Sequence, residues 1–181
     1  MSEIWRGYEF IGGHVVLDLV NTLSWRRDQA RLRDRLTDDG FRAEWLERVG
    51  LAPDSSLADL ASLREILFRV LTEPEPARAD LAGLQRWVLT AQRRARIATA
   101  VPLRWELDPS APAVLVLALA AEELLRSPEA ARIRECEGTG CGWLFLDSSR
   151  NRSRRWCSSG DCGNRERVRR HAQRQRVIRS G

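Results

Sequence analysis

Apolar side chains recur at intervals of three and four over most of the first 126 positions, and that spacing predicts a helical body. Val16, Leu19, Val20 and Leu23 predict a buried helix over roughly Gly13 to Trp25, with Asp18, Asn21 and Thr22 as polar residues on or beside it. Phe41, Trp45, Leu46 and Val49 give a second apolar face, with Thr37 and Asp38 as candidate N-caps and Gly50 as its stop. A third helix is expected from about Leu57 to Leu71, turning Leu60, Leu63, Leu67 and Val70 inward, and Pro74 and Pro76 end it. The fourth, from about Asp80 to Ile97, carries Leu81, Leu84, Val88 and Ala91. The period then changes to two: Val101, Leu103, Trp105 and Leu107 alternate with other residues, as in a strand, and Pro102 disfavours helix. Ala113 to Arg126 is a strongly apolar fifth helix with Glu122 and Glu123 facing water, and Ser127-Pro128-Glu129 breaks it.

That break sets the expected domain boundary, with a helical domain over 1–128 and a small module over 129–181. The expected fold class is therefore mainly α, with one or two short strands in the first part. Hydrophobic content of 43% suffices for a real core. The longest apolar run, Ala111 to Ala121, is too short to span a bilayer, and the first seven residues do not read as a signal peptide. A cytoplasmic location without membrane contact is the expectation.

Charge divides the chain more sharply than hydropathy. Residues 150–181 hold eleven arginines against Asp161 and Glu166, a net of +9, while the first 149 residues carry −4. All thirty basic residues are arginine. An acidic body with a basic end points to a face meant for a polyanion.

All four cysteines lie beside that basic end. Cys136 and Cys141, then Cys157 and Cys162, form two Cys-x4-Cys pairs separated by 15 residues. Four thiolates complete the tetrahedral shell of a structural zinc ion, and in a reducing compartment paired cysteines are metal ligands more often than disulfides. Gly138, Gly140 and Gly142 suit the tight turn of a metal knuckle. Trp143 to Asp147 reads as a strand, Ser148 to Ser153 as a turn, and Arg154-Arg155-Trp156 as the returning strand. A helix should start near Asn164 and reach Ile178, with Val168, Ala172, Gln175 and Ile178 as an inward stripe and Arg167, Arg170, Arg174 and Arg176 outward. Knuckle, β-hairpin and helix together resemble a treble-clef zinc finger. Trp143, Phe145 and Trp156 would be its small core, and the metal would supply most of its folding free energy. His171 could substitute as a ligand, but four cysteines already fill the shell.

At these residues a family resemblance emerges. Cys141-Gly142-Trp143, Phe145, Asp147, Ser149-Arg150-Asn151, Arg154-Arg155-Trp156-Cys157 and Cys162-Gly163-Asn164-Arg165 closely resemble the CGNR-type zinc finger. That finger follows the helical ABATE domain of stress-induced transcription regulators, whose opening motif is similar to Gly12-Gly13 and Leu17-Asp18-Leu19-Val20-Asn21-Thr22 here. The resemblance implies Zn2+ on Cys136, Cys141, Cys157 and Cys162, DNA as partner and transcriptional control as function. Members often have a small residue and lysine after the Cys-Gly-Asn-Arg motif; this chain has Glu166-Arg167, and a capping role suits Glu166 better than phosphate contact.

Arg150, Arg152, Arg154 and Arg155 on the hairpin, with Arg165, Arg167, Arg170 and Arg174 on the helix, are the expected nucleic-acid contacts. Asp147, Asn164 and Arg165 read equally well as structural. No nucleophile elbow, phosphate loop or His-Glu-x-x-His segment is present, and no enzymatic activity is expected. His14, Asp18, Asn21 and Thr22 are the one cluster that could form a ligand pocket, and helix capping serves them equally. Two function classes follow. One is a zinc-finger DNA-binding regulator whose body senses a small-molecule effector or forms a homodimer. The other is a small-molecule-binding or enzymatic body whose finger contacts RNA or protein.

Overall fold

The computed structural model describes residues 8–52 and 56–180, with side chains as far as Gln175. The first seven residues and the side chains of Arg176 and Ile178 lie outside the described residues, so the signal-peptide reading and part of the helix stripe do too. The chain resolves into two compact units, and the division is not linear in sequence. Tyr8 and Asp34–Ala131 form one; Glu9–Arg33 and the residues from Arg132 onward form the other.

The first unit is a helical bundle built from apolar faces that the caps delimit. Asp38 accepts a hydrogen bond from the Phe41 amide at 2.7 Å and starts helix α2 (Asp39–Arg48). Gly50, at φ +72°, stops it in the left-handed conformation while the Leu51 amide reaches back to the Leu46 carbonyl at 2.9 Å. Ser56 caps α3 (Leu57–Thr72), which buries Leu60, Leu63 and Leu67 completely. Helix α5 (Ala113–Arg126) has the predicted bounds and packs with α3 and α4 (Arg78–Arg94). Phe41, Trp45, Leu46, Leu117 and Leu124 complete the core, and the Trp45 indole donates to the Tyr8 hydroxyl at 2.7 Å.

Two details of the fourth helix have readable reasons. Of the apolar residues that the fourth helix carries, Leu81 is 47% exposed, because α4 turns Gly83 toward α3; a Cβ at Gly83 would come 2.8 Å from Ile66 Cδ1. Small-residue contact, not a leucine stripe, sets that crossing. Ile97 lies not in the fourth helix but in strand Arg96–Ala100, which pairs antiparallel with Leu103–Glu106.

The second unit begins with α1 (Val15–Asn21), shorter than predicted. The strand pair beside it is Ile133–Glu135 with Leu144–Leu146, so the knuckle is the connection of the hairpin. The returning strand expected at Arg154–Trp156 does not form. Its backbone is engaged elsewhere: the Arg154 amide donates to the Asp147 carboxylate at 3.1 Å, and the Arg155 carbonyl accepts from the Glu137 amide at 3.0 Å. Helix α6 (Cys162–Ser180) ends the chain. Segment Glu9–Arg33 joins the finger through specific bonds. The Leu146 amide donates to the Gly12 carbonyl at 2.8 Å, and the Arg26 amide to the Cys141 carbonyl at 3.2 Å.

Candidate metal centre and basic surface

Four sulfurs converge at the centre of the second unit. Cys136 and Cys141 come from the hairpin connection, Cys157 from the loop before α6, and Cys162 from its first turn. All four are buried, none is in a disulfide, and their Sγ atoms lie within 4.8 Å of one another. Cys141 and Cys157 stand 3.8 Å apart and Cys157 and Cys162 3.5 Å. Sulfurs each about 2.3 Å from one zinc ion in a tetrahedron are separated by about 3.8 Å. The donor set and its size therefore fit zinc.

The surroundings also suit thiolates. The Cys136 sulfur accepts from the Gly138 amide at 3.4 Å and the Cys157 amide at 3.2 Å, and the Arg165 guanidinium lies 2.8 Å from the Cys162 sulfur. Without a cation the thiols titrate against one another. Hydrogen bonds from Cys141 and the other two thiols hold Cys136 far below the ordinary range, while bonding to Cys136 pushes Cys141 and Cys157 far above it. One divalent cation removes that conflict by letting all four ionise. Gly138 is where the knuckle must have no side chain, since a Cβ there would meet the Cys162 sulfur at 2.9 Å.

Glu166 locks the helix to the knuckle. Its carboxylate accepts from the Thr139 amide at 3.0 Å and the Thr139 hydroxyl at 2.7 Å, and it pairs with Arg169 at 2.8 Å. Those bonds, the Thr139 amide foremost, lower its pKa to about 2. Asp147 organises the following loop through the Ser149 hydroxyl and amide and the Arg154 amide, which hold it below the usual carboxylate range.

The eight arginines proposed for nucleic acid separate into two groups. Arg154 is half-buried: its guanidinium lies 4.2 Å from the Phe145 ring centre and donates to the Trp156 carbonyl at 3.0 Å and to that of Cys157. Arg165 is likewise half-buried, 4.6 Å from the Trp25 ring centre and paired with Asp161. Arg155 is exposed, paired with Glu137 and 5.2 Å from the Trp156 ring centre. Arg150, Arg152, Arg167, Arg170 and Arg174 are exposed. Of these, the side chains of Arg150, Arg152 and Arg174 make no hydrogen bond or ion pair among the described residues. Every described residue of α6 from Arg167 to Gln175 is exposed, so Val168, Ala172 and Gln175 form no inward stripe. Cys162, Gly163 and Glu166 anchor the helix, and the rest projects. His171 is exposed and apart from the sulfurs.

The four residues proposed as a ligand pocket are occupied in holding the fold. His14 Nδ1 caps α1 at the Val16 amide, 3.3 Å away, and the Asp18 carboxylate accepts from the Gly12 amide at 2.9 Å. The Asn21 amide group donates to the Leu144 carbonyl at 2.9 Å and accepts from its amide at 2.8 Å, as a strand neighbour would. The Thr22 hydroxyl donates to the Leu19 carbonyl at 2.7 Å. Sequence reasoning missed Trp25, whose ring has Arg31 at 3.2 Å and Arg165 at 4.6 Å. It also left Asn164 undecided; Asn164 is exposed at the start of α6.

A hairpin-borne cysteine knuckle, a second cysteine pair at a helix start and a basic helix beyond define a zinc-finger protein with a helical partner unit. Family models agree. Residues 132–175 match the CGNR zinc finger, and residues 13–128 match the ABATE family, described as "Putative stress-induced transcription regulator". The chain belongs to the ABATE family, with a carboxy-terminal CGNR finger. No curated protein matches it. Among the described residues no helix is long and apolar enough to cross a membrane.

Proposed function

We propose that this chain is a DNA-binding transcription regulator in which zinc is structural and α6 is the element that docks on the duplex. The observation that carries the reading is the helix itself: from Arg167 to Gln175 it is exposed on every side while its first turn is fixed to the metal knuckle. Beyond its anchored first turn the helix has no apolar face to bury, and its cationic side chains stand open to a polyanion. Asn164, Arg167, His171 and Arg174 recur at helical spacing and give one polar stripe; asparagine and arginine are the side chains that read adenine and guanine edges in the major groove. Arg150 and Arg152 on the preceding loop, and Arg170 on another side of the helix, supply phosphate contacts.

Zinc bound by Cys136, Cys141, Cys157 and Cys162 would hold hairpin, loop and helix start in one arrangement. A shell of four thiolates leaves no position for substrate, so catalysis is not part of the proposal. Nor is effector sensing through His14, Asp18, Asn21 and Thr22, whose polar atoms serve the fold.

The test is duplex binding against salt. With Arg150, Arg152 and Arg170 on three phosphates, the slope of log K on log salt should be about −2.7 or steeper. Arg150→Ala, Arg152→Ala and Arg170→Ala should each weaken binding and reduce the slope by about 1, whereas Arg167→Ala and Arg174→Ala should relax sequence preference. Arg154→Ala should instead lower stability. Salt-independent affinity, or single-strand RNA bound in preference to duplex DNA, would refute the docking model.

A further inference from the structure

The hairpin of the first unit is exposed at every residue of both strands. It nevertheless carries Ile97 at 55% exposure, Leu103 at 54% and Trp105 at 36%, with Ile97 directly opposite Trp105. A two-stranded hairpin with open edges is marginal in water, and an open edge is a template for a further strand.

The two edges are not equivalent. Between Ile97 and Thr99 the register slips, leaving Ala98 as an extra residue on the first strand. Such a bulge twists an edge and spoils it for pairing. Leu103–Glu106 has no slip; its four residues pair in succession. This strand, continuing through Leu107, also lines a groove of about 650 Å³ whose other wall includes Val116, Leu119 and Ala120 of α5.

The order of side chains on that strand selects the occupant. Laid antiparallel on itself about Trp105, it sets Leu103 opposite Leu107, Arg104 opposite Glu106, and Trp105 opposite Trp105. Residues two apart share a face, so both Arg–Glu pairs fall on one side and the leucines and tryptophans on the other. The Arg104 side chain has no hydrogen bond or ion pair among the described residues, and the Glu106 carboxylate has only an exposed contact of 3.0 Å with Arg96. A second copy of this chain satisfies both charges and both apolar rows without any other partner.

We propose that the chain forms a two-fold homodimer through Leu103–Glu106, making a four-stranded sheet beside the α5 groove. This inference does not rest on the DNA reading and is tested without nucleic acid. The self-association of the full zinc-loaded chain is measured by sedimentation velocity, with circular dichroism melts to verify folding of each variant. The wild type should dimerise at micromolar concentration. Arg104→Glu places two carboxylates opposite one another at both pairs, and Glu106→Arg two guanidiniums. Each variant alone should dimerise about tenfold more weakly or worse. Mixed one to one, the two variants restore both opposite-charge pairs and should associate as tightly as the wild type. A monomeric wild type, a single variant that dimerises undiminished, or a mixture no tighter than its components would each overturn the proposal.

Discussion

The two units bury different materials. The helical bundle closes over Leu36, Phe41, Trp45, Leu46, Leu60, Leu63, Leu67, Leu117 and Leu124, with Arg35 and Arg64 its buried charged side chains, and in most of that core many interchangeable contacts share the load. The finger unit has a shorter apolar list, Val16, Leu17, Leu19, Val20, Trp143, Leu144 and Phe145 among it. Around these it buries four cysteines and the polar side chains of Asp18, Asn21, Thr22, Asp147 and Glu166. Hydrophobic burial is non-directional and tolerant, whereas metal bonds and buried hydrogen bonds fail one at a time. The bundle should therefore degrade gradually under substitution, and the finger unit should collapse when a single one of its specific bonds is lost.

Metal removal should give the largest contrast. Zinc contributes about 10–16 kcal/mol of apparent binding free energy in small finger modules. Chelation, or Cys157→Ser, should expose the finger unit and leave the bundle folded. Amide hydrogen exchange reads both at once. The Leu146 and Cys136 amides, bonded to the Gly12 and Trp143 carbonyls, should lose protection, and α3 amides around Leu63 and Leu67 should retain it. Equal loss in both units would break the comparison.

Asn21→Ala should come next. It strands the buried amide and carbonyl of Leu144, at about 1–3 kcal/mol for each unpaired group. Leu63→Ala in the bundle costs a similar amount, about 2–5 kcal/mol, by leaving a cavity. The two should differ in consequence. Asn21→Ala should make the protein surrender zinc to a competing chelator more readily, because Leu144 follows the residue whose carbonyl holds the Cys136 amide. Leu63→Ala should lower bundle stability at unchanged zinc retention. Swapped outcomes would mean that stability is not partitioned as the buried residues suggest.

What the sequence disclosed follows the same division. Helical period and caps located α2, α3 and α5 because each signal is local: Asp38 and Gly50 delimit α2 whatever lies around it. The cysteine spacing located the metal ligands because chemistry leaves few alternatives for four thiols. The opening motif was harder to read. Asn21 looks like a pocket residue until Leu144 is seen beside it, and no pattern along the chain links positions 123 apart. Gly12 is similar: a Cβ there would lie 2.8 Å from both Asp18 Oδ1 and Leu17 Cβ, a constraint visible only once the turn is built. Arg154 and Arg165 looked like phosphate ligands because charge shows in sequence, whereas the aromatic rings they cover do not. In the fourth helix Leu84, Val88 and Ala91 turn inward and only Leu81 does not, since Leu81 outweighs Gly83 on any hydrophobic pattern while sterics favour the glycine.

The smallest expected effect concerns Asp18, 7% exposed, whose pKa rises from 3.8 to about 6 because burial opposes the charge more than the Gly12 amide favours it. A carboxyl with a raised folded-state pKa binds its proton more tightly in the native state than in the unfolded one. It therefore costs stability as pH climbs from 3.8 through 6, and the cost is complete above that. The shift bounds the penalty at about 3 kcal/mol. Asp18→Asn keeps an oxygen for the Gly12 amide and removes the charge. It should stabilise the finger unit at pH 8 by about 1–3 kcal/mol, and the gain should shrink steadily between about pH 7 and pH 5. Thermal melts of zinc-loaded wild type and variant across that range measure it. The bundle offers the control, because Leu63→Ala removes no charge and should cost the same at both ends. A gain for Asp18→Asn that ignores pH would mean that shape rather than charge limits this site, and the finger unit would then resemble the bundle more than its buried polar residues imply.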